Sequence, residues 1–303
     1  MADVGSDPSA YDSIDQVQDG LRGQQYIAER SLATAIYLAM KLRRPLFLEG
    51  EAGVGKTEVA KAVSQMLGAE LIRLQCYEGL DVYHAVYDWN YTRQMLHIRL
   101  MEARGEKTSE AELFGPDFLL KRPLLKAIES KEGQAPVLLI DELDRSDAEF
   151  EAYLLEVLSD FQITIPEVGT IRADQPPYVI ITSNRTREVH DALKRRCLYH
   201  WIDYPSYEKE LSIVTTKVPE ASQRLAEQVT RFTQALRQEA LFKVPGVAET
   251  LDWMAALAAL DQQQLTSDVV ENTLGVLLKT QEDMEAIRGD RLESLMAEAE
   301  VAG

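Results

Sequence analysis

Apolar residues recur every four positions at Leu32, Ile36 and Met40, which places them on one face of a helix predicted over 26–40. The next segment, Pro45-Leu46-Phe47-Leu48-Glu49, reads as a short strand running into a glycine-rich stretch. Behind that stretch, Val59, Val63, Met66 and Leu67 mark the inward stripe of a second helix, which Gly68 would end. Residues 70–76 read as another strand. Over 77–120 the periodicity weakens and aromatic and charged residues accumulate, which predicts a helical insertion with loops. A helix over 123–128 precedes Val137-Leu138-Leu139-Ile140, a continuous apolar run of the kind found in strands buried on both faces. Phe150, Leu154, Val157 and Leu158 share one side of a further helix. Residues 161–165 and 169–172 alternate around Pro166-Glu167-Val168, which predicts a hairpin over 161–172. Pro176 and Pro177 introduce a buried strand at 178–182, and a last short strand is expected at 198–202.

After Pro205 the strands stop. Leu225, Val229, Phe232 and Leu236 fall at helical spacing, as do Leu251, Met254 and Leu257. The expected architecture is therefore α/β over 21–205, a mostly parallel sheet with helices on both faces. An all-helical domain follows over 206–303. Residues 1–20, polar and acidic without a clear period, are expected to be a flexible tail. The 46% hydrophobic content of the 303 residues is enough for proper cores. A formal net charge of -18 argues against nucleic acid as the main ligand, since binding it requires a basic face, and favours a protein partner. Cys76 and Cys197 lie far apart and the four histidines do not cluster, so neither a disulfide framework nor a metal-type spacing is present. The N-terminal residues lack a basic region followed by an apolar run, and no uncharged apolar stretch is long enough to cross a bilayer. A reduced, cytoplasmic setting is the expectation.

Four groups of residues carry candidate chemistry. Gly50-Glu51-Ala52-Gly53-Val54-Gly55-Lys56-Thr57 matches the G-x-x-x-x-G-K-[ST] pattern in full, between a predicted strand and a predicted helix. Glycines let successive N–H groups turn toward phosphate oxygens, and the helix N-terminus behind them favours negative charge. Lys56 would reach the β- and γ-phosphates of ATP and Thr57 would ligate Mg²⁺; Glu58 continues the candidate contacts. Second, Asp141 and Glu142 end the buried run at 137–140, where charge is unfavourable without a partner. Beside a phosphate loop, Asp141 would hold the metal through water and Glu142 would polarise the attacking water; an ordinary strand entering a loop can end the same way. Third, Asn184 follows the strand at 178–182, where it would orient the lytic water, touch the γ-phosphate, or simply turn the chain. Fourth, Lys194-Arg195-Arg196 reads either as an arginine finger acting on a neighbouring subunit's ATP or as a solvated helix end.

Together these motifs resemble the AAA+ ATPases and, within them, the MoxR family, over about residues 21–290. Gly50 to Thr57 and Asp141-Glu142 look like Walker A and Walker B. Asn184 lies where the family has its sensor-one asparagine, and Arg196 matches the finger position with Arg195 a close rival. Asp141-Glu142-Leu143-Asp144-Arg145 is similar to the MoxR stretch D-E-I-N-R, and Leu154-Leu155-Glu156-Val157-Leu158 with the hairpin is similar to the segment before sensor one. The insertion after the second strand also fits that branch, in which such inserts line the partner side of a ring. By position, Tyr26 and Ile27 would pack on adenine; core packing suits them equally. Tyr83, Tyr87, Trp89 and Tyr91 would either grip a partner or pack within the insertion. Leu48 to Glu58, Leu74-Gln75-Cys76-Tyr77-Glu78-Gly79-Leu80-Asp81 and Pro245-Gly246-Val247-Ala248-Glu249-Thr250 look like the CoxD-type members, which are associated with maturation of the molybdenum- and copper-containing carbon monoxide dehydrogenase.

The resemblance implies a Mg²⁺- and ATP-dependent remodelling ATPase. It would form a homo-oligomeric ring, by family habit a hexamer, and act on a protein client with a von Willebrand A-domain co-chaperone. The alternatives are a nucleic-acid motor or loader and a nucleotide-dependent binding module without hydrolysis. One departure from the wider AAA+ pattern stands out: the lid-helix start, Gly246-Val247-Ala248-Glu249-Thr250, has no sensor-two arginine.

Overall fold

The computed structural model describes residues 11–130 and 135–300. The elements run α1 (Ile14–Gly23), α2 (Arg30–Leu42), β1 (Leu46–Gly50), α3 (Lys56–Leu67), β2 (Leu71–Gln75), α4 (Val82–Ala85), β3 (Tyr87–Trp89), α5 (Tyr91–Arg104), α6 (Glu110–Leu113), β4 (Leu119–Lys121), α7 (Pro123–Ile128), β5 (Val137–Asp141), α8 (Ala148–Asp160), β6 (Gln162–Ile165), β7 (Gly169–Arg172), β8 (Tyr178–Ser183), α9 (Asp191–Arg196) and β9 (Leu198–Ile202). Among the described residues only helices follow: α10 (Tyr207–Lys217), α11 (Gln223–Leu236), α12 (Val247–Ala259), α13 (Ser267–Leu277), α14 (Gln281–Ile287) and α15 (Asp290–Glu300). Two compact units result. Of the described residues, one contains 11–20, Glu29–Glu49 and Val59–Trp201; the other contains Leu21–Ala28, Gly50–Glu58 and 202–300.

The first unit is built on a five-stranded parallel sheet in the order β2-β5-β8-β1-β9. Strands β1, β5 and β8 are buried along their whole length, as their unbroken apolar runs require. The register aligns Phe47 with Ile181, Ile181 with Ile140 and Ile140 with Leu74, and these four residues share one core with Leu124, Leu125, Leu154 and Val157 from α7 and α8. On the opposite face, Leu46 and Ile180 line a small cavity together with Ile36 and Met40 from α2 and Val63 from α3. Helices therefore cover both faces. The hairpin over 161–172 forms from β6 and β7, paired from Gln162 with Arg172 to Ile165 with Gly169.

Three expectations change. Of the tail expected over 1–20, residues 1–10 lie outside the described residues, but 11–20 are ordered by α1. Val17 is fully buried, the Tyr11 hydroxyl donates to the Met66 carbonyl at 2.8 Å, and a Cβ on Gly20 would lie 2.7 Å from the Tyr11 ring. The helix is short and polar on average, with Val17 and Leu21 its fully buried residues, so its composition reads as a tail. The insertion over 77–120 is not purely helical, because β3 and β4 pair antiparallel, Tyr87 with Lys121 and Trp89 with Leu119. Its aromatics divide: Tyr87 and Trp89 are buried, with Trp89 edge-on to Phe114 at 5.2 Å, whereas Tyr83 and Tyr91 are exposed. Finally, α2 begins at Arg30, so Tyr26 and Ile27 lie half-buried in the segment before it.

The second unit has its own core, in which Phe232, Trp253, Met254, Leu257 and Leu295 are fully buried. The Phe232 and Trp253 rings lie 5.3 Å apart and the indole N–H donates to Thr273 Oγ1 at 2.8 Å. Trp253→Ala removes the largest fully buried side chain among the described residues and the indole donor to that hydroxyl, which keeps its own bond to the Val269 carbonyl. It is expected to destabilise the helical unit by about 3–5 kcal/mol, read as a fall in the urea midpoint; an unchanged midpoint would contradict this packing.

Candidate active site

Strand β1 ends at Gly50, where the phosphate-loop motif begins. Gly53 and Gly55 have φ of 77° and 94°, in the left-handed region that glycine alone enters without strain, so the backbone curls before α3 starts at Lys56. Gly50 is required for a different reason: a Cβ there would sit 2.2 Å from the Ile202 carbonyl oxygen. The Lys56 ammonium is buried and donates to the carbonyls of Gly50 and Glu51 at 2.8 and 2.6 Å, spanning the base of its own loop. Thr57 stands in the first turn of α3, and Glu58 next to it pairs with Lys217 at 3.8 Å.

In the sheet unit, β5 and β8 end at the same carboxyl edge and bring Asp141, Glu142 and Asn184 together. Asp141 is 2% exposed, and its carboxylate accepts from Arg73 Nε at 2.9 Å, Arg73 Nη2 at 2.5 Å and Thr182 Oγ1 at 2.6 Å. Glu142 has φ 55°, a left-handed conformation that a glutamate adopts only when its surroundings demand it. Its amide donates to Thr182 Oγ1 at 2.9 Å, and its carboxylate accepts from Gln75 and Arg145 at 3.0 Å each and from Asn184 Nδ2 at 3.5 Å. Asp144, also 2% exposed, accepts from the Asn184 amide at 3.1 Å, the Thr186 amide at 2.9 Å and the Thr186 hydroxyl at 2.7 Å. Buried Glu151 anchors the same loop further on, through Arg187 and the His190 amide. Asn184 is thus held against Glu142 by carboxylates behind it.

A family model, the AAA domain (dynein-related subfamily), matches residues 45–197, just over half of the chain. The chain belongs to this AAA family. An uncharacterized protein of Staphylococcus aureus strain USA300 is 25% identical over 203 residues, which is 65% of this chain and 69% of that protein. Among solved structures, the Thermotoga maritima RuvB Holliday junction branch migration motor is similar at a TM-score of 0.46 and 18% identity, covering 92% of this chain and 80% of that one. A candidate ATPase from Cytophaga hutchinsonii is similar at a TM-score of 0.46 and 15% identity, covering 94% and 93%.

The arginines of this AAA chain are not equivalent. Arg195 and Arg196 are both exposed at the end of α9. The Arg196 guanidinium is tied to the Leu155 carbonyl and Ser159 hydroxyl at the end of α8, whereas the Arg195 side chain has no hydrogen-bonding or ionic partner among the described residues. Arg44 caps α9 from outside by donating to the carbonyls of Arg195 and Arg196. Lys194 instead turns to buried Glu49 at 3.4 Å.

Reading the sequence missed Arg73, Gln75 and Thr182. A faint signal for the first two was present: in Leu71-Ile72-Arg73-Leu74-Gln75 the polar residues alternate with apolar ones, so both project from one face of β2. No three His, Cys, Asp or Glu side chains gather into a metal cage among the described residues. Mg²⁺ nevertheless fits the hard oxygen donors at Asp141, because this ion takes few protein ligands when phosphates and water supply the rest.

Cys76 follows β2, and its amide donates to the Asp141 carbonyl at 2.8 Å. Burial first, and then the charges of Asp141, Asp144, Glu142 and Glu151, push its thiol up to about 12; burial does the same to Cys197, whose thiol is also pushed up to about 12. Both raised thiols stay protonated at neutral pH and ionise only as pH approaches that value. Alkylation by iodoacetamide at pH 8 should therefore be negligible in the folded chain and prompt in urea. Rapid labelling of either cysteine in the native protein would show that its surroundings are wetter than described.

Proposed function

We propose that this AAA protein is an ATP-hydrolysing, ring-forming remodelling ATPase of MoxR type, acting with Mg²⁺ on a partner protein. The observation that carries the reading is the Asp141–Glu142–Asn184 cluster at the carboxyl edge of the sheet. In this reading the loop at 50–57 and Glu58 hold the ATP phosphates, with Lys56 shifting from its carbonyls to the β- and γ-oxygens. Thr57 and Asp141 hold Mg²⁺, Asp141 through water and with Arg73 yielding part of the carboxylate. Glu142 polarises the lytic water once Gln75 and Arg145 release it, and Asn184 orients that water. Tyr26 and Ile27 pack on adenine; their membership of the compact unit that contains the loop is consistent with this.

The finger is assigned to Arg195, because its guanidinium has no partner among the described residues while that of Arg196 fastens α9 to α8. It completes the site of a neighbouring subunit, in a ring that family habit makes a hexamer. The exposed Tyr83 and Tyr91 of the insertion, and the -18 charge, favour a protein client over nucleic acid. The three segments of CoxD likeness extend the proposal to maturation of a carbon monoxide dehydrogenase-like metalloenzyme, with a von Willebrand A-domain partner. Two buried free thiols suit the reducing cytoplasm. Among the described residues no helix is long and apolar enough to cross a membrane.

Glu142→Gln should bind ATP as tightly as the wild type yet lose about 10²–10⁴-fold in turnover, because only the proton-accepting group is removed. Retained turnover would disprove its role. Arg195→Ala is expected to cost about a hundredfold or more in turnover, and when titrated into wild-type protein it should depress activity more steeply than dilution predicts. If Arg195→Ala is fully active while Arg196→Ala poisons mixed rings, the finger is Arg196.

A further inference from the structure

The AAA chain has no sensor-two arginine, yet the start of α12 is in direct contact with the phosphate loop. The Ala248 amide donates to the Gly53 carbonyl at 3.2 Å. A Cβ on Gly246 would lie 2.8 Å from Gly53 Cα and 2.9 Å from the Ala52 carbonyl oxygen. Conversely, a Cβ on Gly53 would lie 2.9 Å from Glu249 Oε2 and 3.1 Å from Gly246 Cα. The two backbones meet glycine to glycine, at a separation that no side chain on either would allow. The Glu249 carboxylate accepts from the Gly246 amide at 2.9 Å, which caps the start of α12 and holds negative charge beside Gly53 of the loop.

The turn is braced from behind. Arg237 and Glu210 are 4% and 0% exposed and form a two-pronged ion pair, with both N–O distances 2.6 Å. Arg237 also donates to the Pro245 carbonyl at 2.8 Å and to Thr250 Oγ1 at 3.2 Å, and it lies 5.0 Å over the Tyr204 ring. Thr250 Oγ1 in turn reaches Glu210 at 2.8 Å and the Gly246 carbonyl at 3.1 Å. Displacing Gly246 therefore pulls on α10 through Glu210 and on α11 through Arg237. The Tyr204 phenol beside the turn is pushed up by burial first and then by Glu51, with Arg237 opposing and Glu249 and Asp203 adding smaller increases.

We infer that Gly246 and Glu249 are the nucleotide-state sensor of this chain, working by backbone contact and by repulsion where an arginine would attract. The inference rests on the proposal that residues 50–57 bind ATP. Phosphates arriving on one side of the loop face the carboxylate pressed on the other, and the more highly charged nucleotide is opposed more strongly. Loading ATP then favours release of Gly246 from Gly53, and the Arg237–Glu210 pair carries that movement into α10 and α11. Gly246 and Glu249 are positioning residues; neither is assigned contact with the reacting atoms.

The test measures affinities for N-methylanthraniloyl-labelled ATP and ADP by fluorescence, and amide exchange over 246–250 with and without each nucleotide. Glu249→Gln keeps the cap acceptor and removes the charge. It should tighten ATP about three- to tenfold and ADP less, with the gain shrinking as salt rises. Gly246→Ala should speed exchange at Ala248 without nucleotide and abolish the difference that ATP makes in the wild type. If both variants match the wild type within twofold for both nucleotides, and ATP leaves the 246–250 exchange unchanged, the sensor is disproved while ATP binding stands. A wild-type chain that binds neither nucleotide overturns both proposals.

Discussion

Burying a carboxylate at the end of a parallel strand is tolerated only when hydrogen-bond donors surround it, and the polar architecture of the sheet unit follows from that demand. Asp141, Asp144, Glu151 and Glu49 are all nearly inaccessible to water. An uncompensated charge there would cost several kcal/mol. Each acid therefore fixes something: Asp141 fixes Arg73 and Thr182, Asp144 the loop after β8, Glu151 the stretch before α9, and Glu49 the Lys194 ammonium and Tyr199 hydroxyl. The strained backbone of Glu142 sits among these fixed groups, which hold it in place. The bonds that satisfy the buried acids are also the bonds that fix the candidate site.

The helical unit solves the equivalent problem with one ion pair. Glu210 is fully buried and takes two bonds from Arg237, one from Gln234 and one from Thr250, so all of its acceptor demand is met within the unit. The pair links α10, α11 and the start of α12, and its role as a fixed joint is clearer than any contribution to stability, since such pairs often stabilise no more than apolar residues would. Around it, Phe232, Trp253 and the leucines of α11, α12 and α15 supply the apolar core.

Much of this was legible in the order of residues. The runs at 45–49, 137–140 and 178–182 announced buried parallel strands because a strand covered on both faces has no polar positions to break the run. Gly50 to Thr57 announced a phosphate loop because its chemistry is local: backbone curl, a lysine and a hydroxyl lie within eight successive residues. Asp141, Glu142 and Asn184 lie at the ends of strands, and strand ends are predictable once strands are. The ordered α1 was not legible, since a short helix that is polar on average looks like a tail by composition. The β3–β4 pair was hidden because strands of three residues each leave no alternation to read.

By itself the sequence determined the class of fold, the loop and the identity of the acids at the sheet edge, since each depends on neighbours close along the chain. Only the tertiary structure decided which partners those acids take. Arg73 and Asp141 are 68 residues apart, and Glu142 and Thr182 are 40 apart, so nothing in local spacing couples them. It likewise decided that Arg196 is engaged and that Arg195 has no partner among the described residues, a difference between adjacent cations that pattern cannot separate. The contact of Gly246 with Gly53 belongs to the same group: a missing side chain leaves no mark in the sequence until the fold brings another backbone against it.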